Sequence, residues 1–242
     1  MPSIERSCLA SGGKAQFPAE SDVLARLLAE RFSCRRFRPD SVPDNLVSRM
    51  FEIAQMAPSW CNTQPWRVTV LSGGATGRLR AGLLADLVEK GEVGADIAFP
   101  ERYSGAYLDR RREVGWQLYE AAGVPKGDRE ASAQQARENQ RLFGAPHALL
   151  IHAPRELGAY GAVDCGLYLG VLLLAAQSLG LGIVPQAALA HHAPRIRSLF
   201  GIPAEFQFVV GASFGFAEDD HPVNTFRSRR APVTESLHFI TE

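Results

Sequence analysis

Between Asp164 and Leu179 the chain carries an almost unbroken apolar run that stops at Gly180-Leu181-Gly182. A helix apolar on nearly every side has no face to give to water, so it must lie deep in a core or against another subunit. Spanning a bilayer takes about 20 predominantly apolar residues. From Gly166 to Pro185 the run is interrupted by Gln177, Ser178 and several glycines, which points to a buried helix rather than a membrane span. The rest of the chain has to be arranged around it. With 242 residues, 46% of them hydrophobic, there is enough material for a self-sufficient core in one domain or two small ones.

Periodicity sets out the other elements. Residues 1–19 mix Gly, Ser and Pro without period and read as a flexible N-terminal tail, leaving 20–242 as a single domain. Val23, Leu24, Leu27, Leu28 and Phe32 follow helical spacing, as do Leu46, Val47, Met50, Phe51 and Ala54 after Asp44. Arg67–Ser72 is β-branched and bounded by glycines, the signature of a strand. A helix is expected over 75–91, two more in the polar and aromatic segment 99–144 with a break at Gly123-Val124-Pro125, and a short one over 191–200. Strands are expected at 145–151 and 206–211, and an irregular tail from Pro222. Strands and helices alternate unevenly, with too few strands for a barrel. A central sheet flanked by helices is the consistent class, α/β or α+β.

Several functions are disfavoured. Lys plus Arg is 26 and Asp plus Glu is 26, so the chain lacks the positive excess that nucleic-acid binding rests on. Cys8, Cys34, Cys61 and Cys165 form no CxxC pair or zinc spacing, and the opening residues show no secretory pattern; a cytoplasmic protein with free thiols is expected. Gly180-Leu181-Gly182 starts like a dinucleotide fingerprint, but Pro185 stands at the third glycine and a helix precedes it. His191-His192 has no carboxylate at metal spacing, so no metal is expected. Arg110-Arg111-Arg112 reads as a solvated face.

What remains is a loop and two arginine clusters. Ala57-Pro-Ser-Trp-Cys-Asn-Thr-Gln-Pro-Trp66 cannot continue a helix, because Pro58 and Pro65 lack the amide proton and restrict their predecessors. It is expected to be a stiff loop that presents Ser59, Asn62 and Gln64, groups suited to a polar planar ligand. Arg31, Ser33, Arg35 and Arg36 close the first helical pattern, and Arg227, Arg229 and Arg230 lie in the C-terminal tail. Guanidinium forks match phosphate oxygens. If the two clusters meet, they would make a phosphomonoester site.

These pieces together resemble the flavin-dependent nitroreductase family: Arg-x-Ser-x-Arg at 31–35, Ala-Pro-Ser-x-x-Asn-x-Gln-Pro-Trp at 57–66, Gly-Leu-Gly-Ile-Val-Pro-Gln at 180–186, and Asn224 to Arg230-Ala-Pro. The resemblance runs from about Leu24 to Glu235. It implies an α+β fold with a central, mainly antiparallel sheet, an entwined homodimer, and FMN at the subunit interface. By position, Arg31, Ser33 and Arg35 resemble residues that contact the FMN phosphate, ribityl chain and pyrimidine edge, with Arg141 beside Arg35. Arg230 resembles the C-terminal phosphate-binding arginine, with Arg227 or Arg229 less directly matched. Pro58, Ser59 and Asn62 resemble the segment that packs on the flavin of the partner chain. Pro185, Gln186 and Ala187 match the loop whose backbone faces flavin N5, Gln186 through its backbone alone. Trp60, Tyr103 and Tyr107 would border the substrate, with 99–144 covering it. No side chain is implied as a catalytic acid or base. The implied reaction is ping-pong hydride transfer from NADH or NADPH to a small nitroaromatic or quinone acceptor. Reductive dehalogenation, flavin breakdown and flavin binding without turnover stay open at this point.

Overall fold

The structure, a computed structural model, describes residues 18–89 and 94–241; most of the predicted tail, with Cys8, lies outside the described residues. Four strands form one sheet: β1 (Arg67–Ser72), β2 (His147–Pro154), β3 (Gly182–Gln186) and β4 (Phe206–Gly215), in the order β1-β2-β4-β3. Every pairing is antiparallel, with Arg67 opposite His152, Leu150 opposite Gly211 and Gly182 opposite Gly215. The predicted α+β class with an antiparallel sheet is therefore what forms.

Helices cover both faces of the sheet. On one side lie α2 (Asp44–Ala54) and α6 (Gly158–Ser178), where Met50, Ala54, Trp66, Tyr168, Leu172 and Ala176 pack on Leu149, Ile151 and Phe214. On the other lie α3 (Gly74–Glu89) and α7 (Ala193–Phe200), where Leu79, Leu83 and Ile196 pack on Ala148, Leu150 and Phe208. Alternate residues of β2 thus enter two cores, which is why its sequence is a continuous apolar run rather than an alternating one. At Gly211 the backbone passes under Leu189, whose Cδ1 would lie 2.6 Å from an added Cβ.

β3 is the element that the periodicity did not reveal. It is five residues long and contains Pro185, which argues against a central strand. Its place at the edge of the sheet removes the conflict, since one side of an edge strand needs no amide donors. The apolar helix α6 begins at Gly158, six residues before the predicted start, and is only partly covered. Cys165, Tyr168, Leu172 and Ala175 are buried, whereas Tyr160, Val163 and Leu167 are exposed. The helix over 19–30, α1 (Ala19–Glu30), buries no residue, and Val23, Leu24 and Leu28 are each about half exposed. The segment 99–144 folds as two helices, α4 (Gly105–Ala121) and α5 (Arg129–Arg137), parted at the expected Gly-Val-Pro, and neither has a buried residue.

Candidate active site

The two arginine clusters meet. After α1 the chain runs in extended form beside β3: Ser33 bridges Ile183 in parallel, and the Cys34 amide donates to the Ile183 carbonyl at 3.2 Å. Gly182 permits this approach, because a Cβ there would sit 2.9 Å from Cys34 Sγ and 3.0 Å from its Cβ. The C-terminal arm is fastened to the same segment by Asn224, which is buried in the short helix α8 (Pro222–Thr225). Its Oδ1 accepts from the Arg35 amide at 2.8 Å, and its Nδ2 donates to the carbonyls of Arg36 at 2.8 Å and Glu218 at 2.9 Å. Every polar atom of that amide is used. Asn224 stands in one of the motifs read from the sequence, but its partners, up to 189 residues away, were not legible there.

Arg31, Ser33, Arg35, Arg227 and Arg230 consequently line one cavity of about 260 Å³, with Phe32, Val114, Phe226 and Ser228 among its other walls. Four arginines line this space and no carboxylate does. Burial lowers the affinity of Arg31 for its proton, and the charge of Arg230 lowers it further; burial does the same to Arg35. Aromatic faces carry part of the load. The Arg227 guanidinium lies 4.2 Å over the Phe32 ring, and that of Arg35 lies 5.8 Å over Phe226. Like charges gathered without acids make a site that gains energy when an anion enters.

A second, more open cavity of about 810 Å³ shares Val114, Ser228 and Arg230 with the first and is bordered by Tyr107, Arg110 and Arg229. Here the cations are matched: Arg110 pairs with Glu235, and Arg229 Nε donates to Glu113 at 2.7 Å. Tyr103 lies just before α4, with the Arg111 guanidinium 5.1 Å over its ring. Arg141 is not brought to the arginine cavity. Its side chain pairs with Glu138 at 2.7 Å, and its carbonyl accepts from Arg80.

Pro185, Gln186 and Ala187 end β3 and open the turn that follows. The Gln186 side chain is 2% exposed and points inward. It accepts from the Ser213 hydroxyl and donates to the Asn139 carbonyl at 2.9 Å. This fits a backbone role for the residue and explains the amide: both ends meet neutral partners in a buried place.

The 58–64 loop corrects one expectation. Ser59, Asn62 and Gln64 do not all point outward: Ser59 Oγ accepts from the Gln64 amide at 2.9 Å, while Gln64 Nε2 donates to Asn62 Oδ1 at 3.0 Å and to the Asn62 carbonyl at 3.4 Å. The reason lies in the backbone, where Cys61, Asn62 and Gln64 take φ of 47°, 56° and 46°. Side chains that cross-link the loop offset the strain of these left-handed residues. Trp66 is buried and its indole N–H donates to Gln55, but Trp60 is 64% exposed and rests on Tyr160 of α6, with ring centroids 5.3 Å apart. No residue of this loop lines the arginine cavity in the single chain.

Thiol and imidazole chemistry are absent from the arginine cavity. Burial pushes the thiols of Cys34 and Cys165 up to about 12, which makes them inert near neutral pH. His191 stacks on Phe99 at 4.0 Å, and His192 Nδ1 lies 2.7 Å from Asp86 Oδ2, an anchor for the start of α7 that sequence reasoning missed.

The family model for the nitroreductase family matches residues 28–216. Nitroreductase NfnB of Mycolicibacterium smegmatis is 36% identical over 88% of this chain and 91% of its own length. A 4-nitrobenzoate reductase of Pseudomonas putida is 30% identical over 91% of this chain and 96% of its own. The crystal structure of the FMN-dependent nitroreductase NfnB from Mycobacterium smegmatis in complex with NADPH superposes with a TM-score of 0.87 at 35% identity, covering 92% of this chain and all of that one. With the motifs at 31–35, 57–66 and 180–186 held together by this fold, the chain belongs to the nitroreductase family.

Proposed function

We propose that this protein is an FMN-dependent oxidoreductase that takes hydride from NADPH or NADH and passes it to nitroaromatic or quinone acceptors. The observation that carries this reading is the arginine cavity. Arg31, Arg35, Arg227 and Arg230 line a small space with no carboxylate in its walls, which suits an anionic group such as a phosphomonoester. Bound FMN supplies reversible acceptance and release of a hydride. The relatives' names, an FMN-dependent nitroreductase seen with NADPH and a 4-nitrobenzoate reductase, point to the same chemistry.

In this reading Arg31 and Arg230 hold the phosphate, with Arg227 next to it. Ser33, midway along the extended segment, bonds the ribityl chain. Arg35, half-buried and held in place by Asn224, puts a positive charge beside the pyrimidine edge, where negative charge gathers on reduction. Arg141 would serve there only after leaving Glu138. The backbone of Pro185–Ala187 borders the reacting edge and is stiffened through the Gln186 amide. Pro58, Ser59 and Asn62 complete the pocket from the partner chain, and Trp60, Tyr103 and Tyr107 border the acceptor. No residue is assigned as a general acid or base.

The homodimer in this reading is supported by apolar surface that one protomer leaves open. Val23, Leu24 and Leu28 of α1, Val163 and Leu167 of α6, and Phe239 and Ile240 near the C-terminus are all exposed. Patches of this kind mark association surfaces. We also propose a cytoplasmic location, in keeping with the free thiols of Cys34, Cys61 and Cys165 among the described residues.

The test is spectroscopic. Purified protein should carry the yellow absorbance of FMN, bleach anaerobically with NADPH or NADH, and recover colour on adding a nitrobenzoate. Protein that cannot be loaded with FMN, or whose flavin neither nucleotide bleaches, would sink the proposal.

A further inference from the structure

Two carboxylates among the described residues are almost fully buried, Asp86 at 4% and Asp164 at 3% exposure. Asp86 is met by Arg195 and by the His192 ring. Asp164 has no ion pair among the described residues, so its burial must be compensated otherwise. Both of its oxygens are turned to the 58–64 loop. Oδ1 accepts from the Trp60 amide at 3.1 Å, and Oδ2 accepts from the Thr63 hydroxyl at 3.4 Å. One turn earlier on the same face of α6, Tyr160 supports the Trp60 ring. The helix therefore docks this loop at two points, ring and backbone.

The loop needs such a dock. Three of the five non-glycine residues with positive φ in the described chain lie between Cys61 and Gln64. The bonds among Gln55, Ser59, Asn62 and Gln64 brace its far end, whereas Asp164 alone reaches the Trp60 amide. We propose that Asp164 is the positioning residue of the flavin site's loop: its buried carboxylate, with Tyr160, sets the stance of Trp60 and Asn62 toward cofactor and acceptor. This rests on the reading that the loop serves a flavin pocket, in the partner protomer.

The experiment compares Asp164→Ala and Asp164→Asn in the FMN-loaded protein, by hydrogen exchange of the 58–64 peptide, FMN dissociation, acceptor KM and thermal midpoint. Asp164→Ala should exchange the loop amides at least about tenfold faster, and raise the FMN Kd and the acceptor KM about tenfold. Asp164→Asn should stay within about threefold of wild type, because its oxygen still accepts from Trp60 and its amide donates to Thr63 Oγ1. A carboxylate with a structural role only would lower the thermal midpoint and leave FMN Kd and KM of the folded protein unchanged; that result overturns the proposal. If Asp164→Ala does not fold, Thr63→Val removes one bond from an exposed position and should speed exchange of the loop amides and raise KM about fivefold, beyond the spread allowed to Asp164→Asn, and no rise overturns the proposal equally. Loss of FMN by Asp164→Ala from a wild type that sediments as a monomer supports the role of Asp164 and removes the cross-subunit reading. A loop released in exchange, with FMN and acceptor bound as in wild type, shows that Asp164 docks a loop that serves no flavin pocket, which overturns the underlying reading and the proposal with it.

Discussion

A guanidinium gains little from a second one beside it, so the company that Arg31 keeps is informative. Burial and Arg230 both work against its charge, and the structure tolerates this because a phosphate would reverse the sign of the interaction. Arg31→Ala and Arg230→Ala should each weaken FMN binding by about 1.5–3 kcal/mol, roughly ten- to hundredfold in Kd, with no loss of apoprotein stability. Titrating FMN into both apo-variants, beside a urea melt, checks the two halves of that statement. His152 makes a different prediction. Burial, then the nearby Arg197 charge, pulls its imidazole down from 6.5 to about 4. The folded state therefore holds this ring neutral, and the unfolded state binds the extra proton between those values. Stability is complete above about pH 6.5 and falls as the pH drops toward 4, by roughly 3 kcal/mol in all. Urea midpoints measured from pH 7 to 4 should show the decline, and His152→Phe should flatten it. Burial likewise lowers His147, whose Nε2 accepts from the Val42 amide, so its contribution has the same sign.

Among the elements, β3 and the extended segment beside it decide the site. Most elements were legible: Arg67–Ser72 forms as read, α2 starts at Asp44, and α4 and α5 part at Gly123-Val124-Pro125, because hydrophobic period and glycine or proline punctuation are local signals. β3 was not, because Pro185 is acceptable only where no neighbouring strand takes an amide from that position, and edge position is a property of the sheet. The role of Gly182 was hidden for the same reason. Gly182→Ala should push Cys34 off β3 and move Ser33 and Arg35 with it. FMN affinity should fall more than global stability does, as measured by flavin release on dilution set against the thermal midpoint. Asn224→Ala should act similarly by freeing the arm that carries Arg227 and Arg230, since a buried amide with three partners is lost.

At the scale of the whole molecule, the exposed sides of α1 and α6 and the exposed C-terminal residues are the surface that the proposed homodimer would cover. Leu167→Glu, a charge placed on the open face of α6, should shift sedimentation toward monomer and lower FMN retention together. A monomer that kept FMN at wild-type affinity would separate cofactor binding from assembly. The chain by itself determined most of the succession of helices and strands, the helical, apolar character of 164–179, the end of the helix before the 57–66 loop and the presence of two arginine clusters, since each is written in neighbouring residues. Its family motifs also named the residues to watch. Tertiary structure alone decided that Arg31 and Arg230 share a cavity, that Asn224 joins their segments, and that Asp164 stands under the 58–64 loop. Those facts depend on groups tens to hundreds of residues apart, brought together by burial of the two cores, and no local pattern encodes such distances.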